Sequence, residues 1–282
     1  MNHNSPRDIS ALLEELGAGL KKRWGQNFLI SGDVRTRILD LLNVEAGANV
    51  WEIGPGLGSM TEELLERGAR VTAFEIDWAF VRFLGDTLGA RFEQFRVVQG
   101  DAAKTLVEVQ AEQGSPEYLL GNLPYSVASA IVAVVLESGI SARRMVVMVQ
   151  RELANRMVAG PGTKDYSAFS VLCGSRARMR KAFDVTPGCF YPAPEVVSSV
   201  VEILPNTEHE ISDPVLLSRL VRELFSSRRK TIRNNLKGSA LAAEYGMERL
   251  IAAFDATALE TSIRAEALSV KDFVRVANTL AG

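Results

Sequence analysis

The chain has 282 residues, 47% of them hydrophobic and 23% charged, with a net charge of −2 and an isoelectric point near 5.9. That is enough apolar mass for a sizeable core and more than one typical domain, while the longest apolar runs, such as Ile131–Leu136 and Met145–Val149, are far too short to cross a bilayer. The only histidines, His3 and His209, and the only cysteines, Cys173 and Cys189, fall in no ligand or pairing pattern. This argues against a metal centre, a Ser-His-Asp triad or a disulfide framework.

The N-terminus lacks a basic stretch followed by an apolar core, so no secretion signal is expected. The two thiols read as buried groups in a reducing compartment, which makes a cytoplasmic location the expectation. Charge is segregated along the chain. Between Glu45 and Glu117 acidic residues outnumber basic ones 13 to 6. Basic residues lead 9 to 2 between Arg143 and Lys181, 6 to 1 between Arg222 and Lys237, and 5 to 1 between Lys21 and Arg37. Basic segments of this kind can converge on a face that collects phosphate, or can be solvated helix faces.

In chain order, Ile9–Leu16 reads as a short helix, and Lys21–Leu29, basic then aromatic with a glycine and two amides, as an ordered loop. A helix follows over Asp33–Leu42, where Val34, Ile38, Leu41 and Leu42 recur at helical spacing and Asp33 suits the N-cap. Asn49–Ile53 is a strand that runs into the turn Gly54-Pro55-Gly56-Leu57-Gly58. Next come a helix over Ser59–Arg67 ended by Gly68, a strand over Ala69–Phe74 and a helix over Trp78–Leu88. Strands follow at Phe95–Val98, Tyr118–Leu120 and Met145–Val149, with helical runs at Ser126–Leu136 and Arg151–Val158. Arg176–Phe183 alternates basic and apolar residues, Pro187–Pro194 is stiff and proline-rich, and Val196–Leu204 is the last strand. Strands apolar throughout and alternating with helices predict a doubly wound α/β domain built on a parallel sheet, with ligands at the carboxyl ends of the strands. Pro205-Asn206-Thr207 marks a boundary. Beyond it only helices are read, over Pro214–Phe225, Lys230–Leu236, Ala240–Phe254 and Val270–Leu280. The expected division is residues 1–205 and a small helical domain over residues 206–282.

The chemistry falls at the strand ends. In Glu52-x-Gly54-x-Gly56-x-Gly58 the third glycine comes one residue too early for a dinucleotide fingerprint, which suits a smaller nucleoside ligand. Glu75, 19 residues after Gly56, is placed to accept hydrogen bonds from both hydroxyls of a ribose. Asp101 ends the next strand, where a carboxylate can bind an adenine amino group or a nearby amide. In this order they describe a site for S-adenosylmethionine. Asn122-Leu123-Pro124-Tyr125 then offers two acceptors, the Asn122 side-chain oxygen and the Leu123 carbonyl, that can localise the lone pair of an exocyclic amine. Pro124 fixes the turn and Tyr125 can stack on the base. Each piece alone also fits a capped turn with its aromatic in the core. A base in such a pocket has to be turned out of its stack, and Phe190 is a candidate for closing on its second face, or a plain core residue.

These motifs together resemble the KsgA (RsmA) family of ribosomal RNA adenine dimethyltransferases. The likeness runs from Lys22-Arg23-Trp24-Gly25-Gln26-Asn27-Phe28-Leu29 through Glu52–Gly56, Phe74–Asp77, Gly100–Ala102 and Asn122–Tyr125. It continues through Phe190–Pro194, Val197-Ser198-Ser199 and Ser227–Leu236. Trp24 stands where the family commonly has Phe, which keeps an aromatic. The resemblance implies a Rossmann-like methyltransferase domain over residues 1–205 and an all-helical domain over 206–282 that binds rRNA or the subunit. It implies transfer of two methyls to N6 of each of two adjacent adenosines in the terminal hairpin loop of small-subunit rRNA. The donor is S-adenosylmethionine, the product S-adenosylhomocysteine, and no metal takes part. Gln26, Asn27, Leu29, Gly54 and Gly56 would hold the donor together with Glu75, Ile76, Asp101, Ala102 and Asn122. Asn122, Leu123, Pro124 and Tyr125 would present the amine, with Phe190 stacking. Lys22, Arg23, Arg228, Arg229, Lys230 and Arg233 would grip RNA. The partner is the small ribosomal subunit, approached by a monomer. The rival readings are the related large-subunit rRNA methyltransferases of macrolide resistance and an assembly factor that keeps the fold without catalysis. Leu123, where the large-subunit enzymes usually have Ile, and the low isoelectric point favour the small-subunit enzyme, and the intact set of Glu75, Asp101 and Asn122–Tyr125 argues for catalysis.

Overall fold

A computed structural model of the chain describes residues 2–17, 26–206 and 208–282. The chain divides into two compact units, Met1–Ala154 with Arg180–Pro205, and Asn155–Met179 with Asn206–Gly282.

The first unit is organised by strands: β1 (Phe28–Leu29), β2 (Asn49–Ile53), β3 (Arg70–Glu75), β4 (Phe95–Gln99), β5 (Tyr118–Asn122), β6 (Arg144–Gln150), β7 (Ala177–Val185), β8 (Phe190–Tyr191) and β9 (Ser198–Pro205). Seven of them form one sheet in the order β4-β3-β2-β5-β6-β9-β7. The first five are parallel, and β9 is antiparallel to β6. This is the expected α/β architecture, with the strand order reversing between β2 and β5, where a doubly wound sheet opens a crevice. The strands are apolar because both faces are covered. Val50, Leu120, Val146 and Val200 lie buried in one core cluster. Glu202, buried on β9, is satisfied by Arg144 on β6 at 3.3 Å and Arg180 on β7 at 2.6 Å, so two arginines of the basic run hold the sheet together. The segments read as a loop and as a proline-rich connection meet at their ends: β1 pairs antiparallel with β8, Phe28 opposite Tyr191 and Leu29 opposite Phe190.

The helices of this unit are α1 (Pro6–Glu15), α2 (Gly32–Leu42), α3 (Ser59–Glu66), α4 (Trp78–Leu84), α5 (Ala102–Gln113) and α6 (Ala128–Glu137). The N-cap of α2 is Ser31, whose hydroxyl accepts from the Val34 amide, and not Asp33. Asp33 sits instead in the first turn, where its charge favours the helix dipole. The helix read through Leu88 ends at Leu84 and continues as a wider π-turn over Gly85–Gly89, where two glycines weaken the regular ladder. Helix α5 was not read. Asp101 starts it by accepting from the Ala103 amide, and Leu106 and Val109 supply its buried side. Strand β7 arises from the Arg176–Phe183 alternation, a period of two with basic residues outward.

The chain enters the second unit along α7 (Arg151–Val158). The helices α8 (Ala168–Arg176), α9 (Pro214–Leu224), α10 (Ile232–Leu236), α11 (Ala240–Tyr245), α12 (Met247–Ala256) and α13 (Val270–Ala281) build it. Gly246, at φ +77°, breaks the run read as one helix into α11 and α12. Leu220, Leu224, Phe254 and Phe273 form its core together with Tyr166 and Val171. Those last two explain why Asn155–Met179 groups with the helices, although the boundary read in the sequence lies after Pro205. Tyr166 is fully buried and donates its hydroxyl proton to the Leu268 carbonyl at 2.9 Å. Among the described residues no helix is long and apolar enough to cross a membrane.

Candidate active site

The carboxyl ends of β2, β3 and β5 and the start of α5 open onto one cleft. It is lined by Gln26, Asn27 and Leu29, by Gly54 and Gly56, by Glu75 and Ile76, by Asp101 and Ala102, and by Asn122 to Tyr125. Residues far apart in the chain meet because parallel strands place their turns side by side. The first glycine turn depends on its lack of side chains. Gly54 has φ +70°, and a Cβ there would lie 3.3 Å from the Asn122 carbonyl oxygen. Gly56 has φ +57°, and a Cβ there would lie 3.3 Å from the Phe28 ring. The turn thus packs against the end of β5 on one side and β1 on the other.

Glu75 is buried at the end of β3. One carboxyl oxygen accepts from the Gly56 amide at 3.2 Å and the other from the Asp77 amide at 2.9 Å. The carboxylate is therefore fixed to the glycine turn, and each oxygen keeps a lone pair for a ligand hydroxyl. Burial pushes its pKa up to about 7 against the pull of these amides. Asp77 caps α4 by accepting from Ala79, and Gln26 donates to its other oxygen at 3.3 Å, which brings the segment before β1 to the rim. Asp101 is exposed at the rim and also serves as the cap of α5.

Beside the glycine turn, the Asn122 side-chain nitrogen donates to the Asn27 carbonyl at 3.3 Å. That bond uses the donor end of the amide and turns its oxygen away as an acceptor. The Leu123 amide donates to the Met148 carbonyl at 3.1 Å, and its side chain is buried over Gly121, where any Cβ would meet it at 2.7 Å. Tyr125 is half-buried, and its hydroxyl pairs with that of Ser198 at 2.7 Å. Phe190 is not brought to this cleft. Opposite Leu29 in the small sheet, it is only 3% exposed and belongs to the main apolar core, its plain structural alternative.

Of the basic residues expected to grip RNA, Lys22 and Arg23 lie outside the described residues. Arg229, Lys230 and Arg233 are exposed on the second unit, around the start of α10. Arg228 is partly engaged within that unit, donating to the Lys164 carbonyl at 2.8 Å and pairing with Glu266 at 3.1 Å. Sequence reasoning missed the wall contributed by α1. Ile9 and His3 line the cleft, and Ile9 packs with Leu13, Leu57 and Phe80. Only the amphipathic spacing of that helix hinted at a buried face. Glu52, which opens the glycine motif, is fully buried on β2, and its burial raises its pKa to about 7 despite the nearby Thr61 hydroxyl.

Known proteins resemble this chain over nearly its whole length. The family profile described as ribosomal RNA adenine dimethylase matches residues 17–282. A ribosomal RNA small subunit methyltransferase A from Treponema pallidum is 40% identical over 284 residues, covering 99% of this chain and 97% of the relative. Its counterpart in Treponema denticola is 37% identical over 281 residues, with 99% and 96% covered. That in Aromatoleum aromaticum is 38% identical over 263 residues, with 93% and 94% covered. Among solved structures, a dimethyladenosine transferase from Plasmodium falciparum superposes with a TM-score of 0.76 at 22% identity, covering 87% of this chain and 94% of that one. The 23S rRNA methyltransferase ErmE gives 0.63 at 23% identity, covering 91% and 100%. Both share the fold. With the profile matched over nearly its whole length and close relatives spanning it end to end, the chain belongs to the ribosomal RNA adenine dimethylase family.

Proposed function

We propose that this protein transfers methyl groups from S-adenosylmethionine to N6 of two adjacent adenosines in the terminal hairpin loop of small-subunit rRNA, two methyls to each. The observation that carries this reading is that one cleft is lined by Glu75, by the glycine turn and by Asn122–Tyr125 together. The residues fit a nucleoside donor. Glu75 would accept from the ribose hydroxyls, Ile76 and Ala102 would hold the flat ring system, Asp101 would take its amino group, and the Gly54 and Gly56 backbones would hold the amino-acid portion. Gln26, Asn27 and Leu29 close the side opposite the strands.

When bound, S-adenosylmethionine supplies a methyl already activated by its sulfonium charge. The chain's part is to position the amine. The adenine amino nitrogen is a poor nucleophile because its lone pair is conjugated with the ring. The Asn122 side-chain oxygen, oriented by Asn27, and the Leu123 carbonyl accept its two N–H bonds and turn the lone pair toward the methyl. Pro124 holds the turn, and the Tyr125 ring stacks on the base. No protein base is needed before attack, and the proton passes to water after transfer. Such a base has to leave its stack to enter. Exposed Arg229, Lys230 and Arg233 bind RNA phosphates, and the helical unit serves as the grip on the subunit. The protein acts as a cytoplasmic monomer and releases S-adenosylhomocysteine.

The test is incubation with labelled donor and under-methylated small subunits, free rRNA or large subunits, followed by mapping of the methylated base. Label on the paired adenosines of small-subunit RNA is expected. Label confined to large-subunit RNA overturns the substrate assignment, and no label on any of the three removes the enzymatic one.

A further inference from the structure

We infer that Ser198 is a positioning residue, whose hydrogen bond to Tyr125 sets the plane of the ring on which the target base stacks. The inference rests on the function proposed above and adds to it a residue outside the cleft lining. Ser198 is the first residue of β9 and has no solvent exposure. Its register partner is Gln150 on β6, whose other neighbour β5 ends at Asn122 opposite Met148. The 2.7 Å bond between the two hydroxyls therefore reaches across the carboxyl end of β6, from the turn after β5 to the antiparallel strand beyond.

That placement has two consequences. A tyrosine on a half-exposed turn has staggered choices at χ1 and a broad well at χ2. A tether at the ring tip restricts both torsions at once, so the face toward the cleft is set before the base arrives. The tether also occupies the phenol oxygen. Burial raises the pKa of Tyr125 above the usual phenol value against the pull of Ser198, so at neutral pH the group is a protonated platform and takes no proton from the amine. Neighbouring Ser199 donates to Asp184 at 2.6 Å, which fixes the start of β9 from the side of β7. The anchor is thus itself anchored.

Because the bond orients the base without touching the donor, its loss should appear in the chemical step. Ser198→Ala, Tyr125→Phe, the double variant and Ser198→Thr are compared on under-methylated small subunits. Each single change is expected to lower kcat about three- to tenfold, the range of one net hydrogen bond, with KM for S-adenosylmethionine unchanged. The double variant should lose no more than either single one, and Ser198→Thr should recover most of the rate. Wild-type kcat in Ser198→Ala, or losses that multiply in the double variant, would overturn the inference. A substrate-independent measurement separates this from the parent reading. In protein labelled with 13C-tyrosine, the Tyr125 ring resonance, assigned with Tyr125→Phe, should shift toward averaged values in Ser198→Ala. An unmoved resonance sinks the tether whatever the substrate. A shifted resonance in a protein that labels no small-subunit RNA supports the tether and strikes only the proposed function.

Discussion

The proposed mechanism concentrates the chemistry in one amide, that of Asn122. Its nitrogen is held by the Asn27 carbonyl at 3.3 Å, so the oxygen is directed before any substrate binds. Replacing a preorganised group of this kind typically costs about 10²–10³ in rate. Asn122→Ala should lower single-turnover methyl transfer by about that factor while co-sedimentation with small subunits stays nearly unchanged. Rates within a factor of a few of wild type would remove Asn122 from the mechanism. Glu52 makes a different residue-scale prediction. It has no solvent exposure, and the nearby Thr61 hydroxyl offsets only part of the cost of burying its charge. Burial raises its pKa to about 7 from an ordinary 4.5, with Glu75 adding to the rise. The folded state thus prefers the protonated form. That preference contributes stability fully present below about pH 4.5 and lost as pH rises through about 7. Glu52→Gln copies the neutral acid, so its melting temperature should match wild type near pH 4.5 and exceed it increasingly by pH 8. A constant difference across a pH series of thermal melts would show that Glu52 is not protonated in the fold.

At the scale of elements, the glycine turn proposed to hold the donor is a contact between two strand ends. Gly54 touches β5 only because it has no Cβ and lies at φ +70°. Gly54→Ala places a side chain in left-handed backbone, which costs about 1–2 kcal/mol, and pushes the turn from the Asn122 carbonyl. Calorimetry with S-adenosylmethionine should show at least a tenfold weaker Kd, with a fall of a few degrees in melting temperature. Unaltered affinity would detach the turn from donor binding. These strand ends were legible in the sequence because apolar runs followed by Gly, Glu, Asp and Asn carry a period that packing does not override. What could not be read were features set by partners distant in the chain. The pairing of β1 with β8 joins residues 28–29 to 190–191, and the burial of Phe190 follows from it. Its proline-rich setting could not distinguish a core ring from a stacking one. The cap of α2 went to Ser31 because local side-chain geometry, not charge, decides which group reaches the Val34 amide. Ser198 stood out in the sequence only as part of Val197-Ser198-Ser199, with no role attached, since the partner that gives its hydroxyl one lies 73 residues away.

For the whole molecule, a net charge of −2 does not by itself argue against an anionic partner, because the charge is sorted between segments. Sorting alone overcounts the cations available to it, however. In the run from Arg143 to Lys181, Arg143 pairs with Glu117, and Arg144 and Arg180 both pair with Glu202. These cations serve the fold. In the run from Arg222 to Lys237, Arg228 is shared with Glu266, whereas Arg229, Lys230 and Arg233 stand exposed where Thr231 caps α10. If these three meet phosphates, each displaces condensed counterions, and binding weakens with salt by a slope of roughly 0.7–0.9 per neutralised phosphate. Arg229→Glu should therefore weaken binding to small subunits and flatten the plot of log K against log salt by about one. The measurement is a set of binding titrations over a range of monovalent salt. The fold should be unaffected, because Arg229 is exposed, and circular dichroism checks this. A parallel line displaced downward would mean that the substitution acts without any change in charge contacts, through a salt-independent disturbance, and an unchanged line would take this face of the helical unit off the RNA.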